Sequence, residues 1–292
     1  MLFRSRLASA VSNAGGLGLL GAGSMHPDTL REHIQKCRKA TDRPFGVNVP
    51  LMYPQIDEIM NLLVEEEVKI VFTSAGNPKL WTPFLKEHGM TVVHVVSSSK
   101  FARKCEEAGV DAVVAEGFEA GGHNGREETT TLCLIPAVRR ATSLPLIAAG
   151  GIGTGRGMLA AMALGAEGVQ IGTRFALTEE SSAHPGFKAH GLFLEEGDTK
   201  LLLKKLSPTR LVKGGFRQAV EEAEARGASA DELRELLGRG RAKLGIFEGD
   251  LENGELELGQ VASLFRQSQT VAEVMKEITT EYDEALRAME HY

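Results

Sequence analysis

Two stretches of the chain end an apolar run in residues too small to block a backbone. In Pro145-Leu-Ile-Ala-Ala-Gly-Gly-Ile152, Gly150 and Gly151 stand directly before a helical pattern at Thr154 to Leu164. In Gly168-Val-Gln-Ile-Gly-Thr-Arg-Phe175, Gly172 and Thr173 close the next apolar run. Glycine lets N–H groups approach an oxyanion because it has no Cβ, and a helix N-terminus adds a favourable dipole. Either pair alone reads equally well as a tight turn, whereas two pairs one strand apart describe a phosphate site. A third stretch, Ala115-Glu-Gly-Phe-Glu-Ala-Gly-Gly-His-Asn-Gly125, is rich in glycine. Such a loop takes unusual backbone angles, so Gly121 and Gly122 are placed to lie against a flat ring, and His123 offers a proton near neutral pH.

Weaker candidates sit at other strand ends. Asn48, in Gly46-Val-Asn-Val-Pro50, could donate to a ring atom or be structural. Glu116 could bind a hydroxyl, pair with a buried base or form a loop salt bridge. Ser74-Ala-Gly-Asn-Pro78 and Ser97-Ser-Ser99 either line a pocket or cap helices. His26, His33, His88 and His190 read as structural.

The elements that must position these residues follow from periodicity. Short apolar runs at Leu17 to Ala22, Phe45 to Pro50, Ile70 to Ser74, Val92 to Ser97, Ala112 to Glu116, Leu146 to Ala149 and Val169 to Gly172 read as strands. Between them, apolar residues recur at three and four in Thr29 to Ala40, Ile56 to Glu66, Lys100 to Ala108, Ile135 to Ala141 and Met158 to Leu164, with cap-like Ser99 and Thr154. Repeated βα units of this kind wrap a parallel sheet. A helical stretch, Arg6 to Asn13, has no strand before it, and a closed (β/α)8 barrel needs eight strands where about seven are found. The expectation is a TIM (β/α)8 barrel that lacks its first strand through truncation or a misplaced start; an open seven-strand sheet is the alternative. The barrel region would run over 1–178. Residues 179–292 would form a helical cap that completes it, with helices at Gly215 to Arg226, Ala230 to Leu237 and Val271 to Met289, and a loop or short hairpin at Gly240 to Gly259 over the mouth.

Composition excludes several classes. The 292 residues are 42% hydrophobic and 25% charged, enough for one large core, and the net charge of -6 offers nucleic acid or an anionic membrane no attraction. Cys37, Cys105 and Cys133 have no metal-ligand spacing and read as reduced thiols, which suits the cytoplasm. No apolar run reaches the roughly 20 residues of a membrane span, and Met1 to Arg6 lacks the apolar stretch of a signal peptide. No metal site is expected. A basic stretch, Lys200, Lys204, Lys205, Arg210, Lys213 and Arg217, could steer an acidic partner or simply be a solvated helix face.

At these motifs the chain resembles the FMN-binding family that holds nitronate monooxygenases (formerly 2-nitropropane dioxygenases) and the type II FMN-dependent enoyl-acyl-carrier-protein reductases. The resemblance runs from Ser12-Asn-Ala-Gly-Gly-Leu-Gly18 through the three glycine loops to Gly259-Gln260. It implies that Asn48, Glu116, Gly122, Ala149, Gly150, Gly151, Gly172 and Thr173 line an FMN site and that His123 is the catalytic histidine. The family opens with a strand ending in a Gln-Gly-Gly-Met type loop, for which this chain has no counterpart. Val95, where the monooxygenase branch carries lysine, and Glu116, where it carries aspartate, are more similar to the reductase branch. The resemblance therefore implies reduction of enoyl-acyl-carrier-protein thioesters with NADH or NADPH, in a homodimer, with oxidation of alkyl nitronates by oxygen as the alternative. Outside redox chemistry, a phosphosugar isomerase or aldolase and a non-catalytic barrel remain open.

Overall fold

The computed structural model describes residues 4–23 and 25–289. Met1 to Phe3, with which the reading of the chain start began, lie outside them. Ten strands are present: β1 (Gly18–Gly21), β2 (Phe45–Pro50), β3 (Ile70–Ser74), β4 (Thr91–Val96), β5 (Ala112–Glu116), β6 (Gly122–His123), β7 (Leu146–Ala149), β8 (Gly168–Gln170), β9 (Thr199–Leu202) and β10 (Thr209–Val212). The helices are α1 (Ser5–Asn13), α2 (Pro27–Ala40), α3 (Ile56–Glu65), α4 (Thr82–Glu87), α5 (Ser99–Ala108), α6 (Thr131–Arg139), α7 (Gly155–Ala163), α8 (Thr173–Ala176), α9 (Pro185–Leu192), α10 (Gly215–Ala225), α11 (Ala230–Leu237), α12 (Arg241–Ile246) and α13 (Val271–Met289).

Seven strands form one parallel sheet in the order β1-β2-β3-β4-β5-β7-β8, each joined to the next through a helix on its outer side. This is an incomplete TIM barrel, and among the described residues β1 and β8 do not pair. Both faces of such a sheet are covered, so its strands are apolar throughout rather than alternating with polar residues. Side chains still alternate in direction. Val47, Val49, Val71, Val92, Val96, Val113, Leu146 and Ala148 face the helices. Leu19, Ile70, Phe72, Val93, Val95, Ala112, Val114, Ile147 and Ala149 face the barrel axis. Each Val or Leu buried this way contributes about 1.5–3 kcal/mol.

Past the barrel strands, β9 and β10 form an antiparallel hairpin, and β10 also pairs with β6. The hairpin falls within residues 179–292, which were expected to be a helical cap. A second correction concerns 240–259, expected as a loop or hairpin. It holds the short helix α12 and an irregular segment, and Val212 N–H donates to Leu256 O to tie that segment to β10. Their apolar residues share a core with Phe187 and Leu194 of the α9 region. α13 folds back on α1 and α7, where Val271, Val274 and Ile278 pack with Leu7 and Phe175. At Gly155 no side chain is tolerated, since a Cβ there would lie 2.2 Å from Tyr282 N. Gly155 N–H donates to Glu281 Oε2 at 2.7 Å, so α13 caps α7. Of the cap-like residues, Thr154 accepts from Gly157 N, whereas α5 begins at Ser99 after Ser98, whose side chain caps nothing.

Candidate functional site

Strand register assembles the first part of the site. Glu116 pairs with Ala149, and Ala149 pairs with Gln170, so three consecutive strands bring these residues into one row on the barrel-axis face. Burial pushes the Glu116 carboxyl up to about 7, and among the described residues it has no ion-pair or hydrogen-bond partner. Gln170 Oε1 is likewise buried without a partner. A buried polar atom left alone costs about 1–3 kcal/mol, which marks this row as a place for a ligand. Asn48 has the same parity on β2, in register with Phe72, and stands at a distance in the sheet from the Glu116 row. β8 ends at Gln170 rather than at Gly172, which becomes the N-cap of α8 with Thr173 as its first residue.

Directly beyond Ala149 the chain turns through Gly150 and Gly151, both with positive φ, +90° and +69°. A Cβ at Gly150 would lie 2.7 Å from Gly117 O, so only glycine fits both angle and space. Among the described residues neither the Gly150 nor the Gly151 N–H donates to a backbone carbonyl.

The loop from Gly117 to Gly125 is held from several sides. Glu119 accepts from Thr131 N at 2.9 Å and from Thr131 Oγ1 at 2.9 Å, and Thr131 Oγ1 also reaches Gly150 O at 2.8 Å. Because one hydroxyl has one proton, Thr131 Oγ1 satisfies only one of these acceptors at a time. Arg210, 1% exposed, donates from Nη2 to Phe118 O at 2.6 Å and from Nε to Ala120 O at 3.1 Å, with its guanidinium 4.5 Å from the Phe118 ring centre. His123 is exposed on β6 and pairs with Thr209 of β10. Next to it, Asn124 Nδ2 donates to Ala120 O and Gly122 O.

A strap from the C-terminal region, residues 257–260, closes over this loop. Gly259 N–H donates to Thr173 Oγ1 at 2.8 Å and Gln260 N–H to Glu119 O at 3.0 Å. A Cβ at Gly121 would sit 2.4 Å from Leu258 C, and one at Gly122 would sit 3.1 Å from Glu257 Oε2. The strap thus joins Thr173 to the histidine loop. Burial raises the Glu257 carboxyl above the usual range while the charge of His123 draws it back.

The structure therefore brings Glu116, Ala149, Gly150, Gly151, Gly121, Gly122 and Thr173 into one region. Gln170, Glu119 and Gly259 stood in the sequence only as members of longer motifs, and Thr131 and Glu257 were not singled out there. Gln170 was within reach of the sequence reading, since it shares the strand parity of Gly168 and Gly172. Arg210 was placed on a basic surface and is instead buried under the loop. The rest of that stretch is paired inside the chain: Lys204 with Glu128, Lys200 and Arg217 with Glu221, Lys213 with Asp198, and Lys205 with Ala228 O. His33, His88 and His190 hydrogen-bond to Ser5 Oγ, Phe84 O and Lys213 O. His94, 4% exposed on the helix side of β4, bonds Thr73 Oγ1 at 2.6 Å, and burial drives it down to about 4. Cys37 and Cys105 are buried and Cys133 is exposed, all three free. Among the described residues no cluster of three or more His, Cys, Asp or Glu could hold a metal, and no helix is long and apolar enough to cross a membrane.

A parallel barrel sheet with a glycine cradle and a histidine loop at the carboxyl ends of its strands has the layout of a barrel enzyme. The chain belongs to the nitronate monooxygenase family, a family of oxidoreductases, whose profile matches residues 2–61 and 52–281. It is similar to the (3aS,4S,5R,7aS)-5-hydroxy-7a-methyl-1-oxo-octahydro-1H-indene-4-carboxyl-CoA dehydrogenase of Rhodococcus jostii, 39% identical over 63% of this chain and 51% of that protein. The chain thus spans about half the length of that relative. Among solved structures it resembles FabK from Thermotoga maritima, with 42% identity and a TM-score of 0.95 over 100% of this chain and 92% of that one. It also resembles nitroalkane oxidase from Streptomyces ansochromogenes, with 27% identity and a TM-score of 0.84 over 99% of this chain and 94% of that one.

Proposed function

We infer that the chain is an FMN-dependent oxidoreductase that reduces enoyl thioesters carried on acyl carrier protein, with NADH or NADPH as hydride source, acting as a cytoplasmic homodimer. The observation that carries this choice is the likeness to Thermotoga maritima FabK, an enoyl-acyl-carrier-protein reductase of type II, along the whole of this chain. The Rhodococcus jostii relative, named for a carboxyl-CoA substrate, supports a thioester.

The residues present fit FMN. The N–H groups of Gly150 and Gly151, without backbone acceptors among the described residues, suit a phosphate, and Gly172 and Thr173 lie one strand away. The unpartnered Gln170 Oε1 and the buried Glu116 carboxyl suit ribityl hydroxyls, which can donate to both. Gly150, Gly151, Gly172 and Thr173 would hold the phosphate; Asn48, Glu116, Gly121, Gly122 and Ala149 would line the rest. When bound, FMN supplies the redox chemistry. His123 holds the proton destined for the α-carbon of the reduced thioester, and the Arg210, Glu119 and Asn124 contacts keep its loop in place. Within residues 179–292, the strap at 257–260 closes over the histidine loop while α13 packs on α1 and α7.

A second reading, nitronate oxidation with oxygen, is favoured by the family profile and by the nitroalkane oxidase likeness. There His123 would orient the nitronate. Anaerobic mixing of FMN-loaded protein with NADH, followed by a crotonyl thioester or, in air, a nitronate, separates the two. Rapid bleaching by NADH and rapid return of flavin colour with the thioester is the expected result.

A further inference from the structure

Four successive connections of the barrel sheet each expose a large apolar side chain. Met52, just after β2, is 80% exposed; Leu80, after β3, is 68% exposed; Phe101, in the first turn of α5 after β4, is 43% exposed; and Leu132, in the first turn of α6, is 67% exposed. All four lie at the carboxyl ends of the strands, the end that holds the site. Their segments adjoin. Leu51 N–H donates to Ser74 O at 2.7 Å, the one-turn helix Pro78–Leu80 packs on α5, and α5 packs on α6. Single exposed apolar residues are ordinary, whereas several along one rim mark a surface that meets another molecule.

The same rim carries positive charge. Lys100, Arg103 and Lys104 are exposed on α5, and among the described residues none of them has an ion-pair or hydrogen-bond partner for its side chain. Lys104 Nζ stands 5.5 Å from the centre of the Phe101 ring, so charge and apolar surface share one place. Of the carboxylates around α5, Glu107 pairs with Lys79, Glu106 accepts from Ser143 beyond the far end of α6, and Glu127 accepts from Ser97 at the rim. Ser97, two residues before α5, lines one cavity with Glu116 and Asn124, so the rim leads into the site. We propose that this rim is the docking surface for an acidic carrier protein, which lies on α5 and passes its thioester arm inward past Ser97. The proposal rests on the reductase reading above and supplies its partner surface. Charge decides the occupant. In a two-fold pair of this chain the patch would face itself and set Lys100, Arg103 and Lys104 against their own copies, whereas an acidic protein complements them.

The test gives FMN-loaded protein two substrates, crotonyl-acyl carrier protein and crotonyl-N-acetylcysteamine thioester, which has the arm's chemistry without the carrier. Lys100→Glu combined with Lys104→Glu is expected to raise KM for the carrier-borne substrate about tenfold and to leave kinetics with the small thioester unchanged. Phe101→Ser keeps the charge and is expected to act in the same direction on the carrier-borne substrate alone. Lys39→Glu combined with Lys69→Glu, at exposed positions near the amino ends of the strands, alters the net charge equally and is expected to change neither. Interferometry with immobilised apo acyl carrier protein reads binding without turnover: added salt should weaken wild-type binding, and the Lys100 and Lys104 reversal should abolish it. No carrier binding by the wild type, binding untouched by that reversal, or an equal loss in the Lys39 and Lys69 control would overturn the proposal. So would a reversal whose only effect is a change of mass in sedimentation, the mark of a second copy on this rim. Failure of the wild type to reduce either thioester would instead count against the reductase reading, and interferometry would still report on the surface.

Discussion

His123 stands exposed on β6, in a loop rich in glycine. If it delivers the proton, His123→Ala should leave FMN binding intact and lower turnover by roughly 10² to 10⁴, measured by steady-state kinetics on flavin-loaded protein. Glu116 and His94 have opposite effects on stability. The Glu116 carboxyl is raised to about 7, so the folded state binds its proton more tightly and stability is lost as pH rises through that value. The full difference is worth roughly 3 kcal/mol, an upper bound because the pocket meets water. His94 is lowered to about 4, so its contribution is present above the ordinary histidine range and is lost as pH falls toward 4. Melting curves between pH 4 and 8 should show Glu116→Gln flattening the loss on the alkaline side and His94→Gln the loss on the acid side. His123, Gly150, Gly151 and Glu116 were legible in the sequence because their types are unusual at strand ends. Glu257 was not, because its meaning comes from a loop more than a hundred residues earlier in the chain.

Strands β2, β3, β5 and β7 occur where periodicity placed them, since a strand buried on both faces is an apolar run bounded by polar residues. The β9–β10 hairpin and α12 were illegible for a different reason. They are short, and long-range contacts hold them, as when Val212 N–H meets Leu256 O. Arg210 was misjudged because charge in a sequence suggests surface, whereas here the guanidinium has carbonyls and an aromatic face beneath a loop. Arg210→Met would leave the Phe118 and Ala120 carbonyls without this donor and should cost about 2–4 kcal/mol. Differential scanning calorimetry measures that loss. Limited proteolysis should then cut within residues 117–125, and a cleavage pattern identical to wild type would disprove the pinning role.

The sheet, its helices and the C-terminal region form one interdependent body. α13 buries Val271, Val274 and Ile278 against Leu7 and Phe175, joining the last helix to the first. Removing the chain from Val271 onward takes away three of these side chains and uncovers Leu7 and Phe175, so the burial of all five is lost, at about 1.5–3 kcal/mol each, against a typical total stability of 5–15 kcal/mol. The shortened protein should therefore lack a cooperative thermal transition by circular dichroism. The two amides donated across the barrel mouth, Gly259 N–H to Thr173 and Gln260 N–H to Glu119, have a further consequence. Neither can meet solvent deuterium unless residues drawn from three remote stretches of chain part together. These two protons are sentinels: equal exchange rates, slowed together when flavin is added, would register each opening of the mouth as a single event.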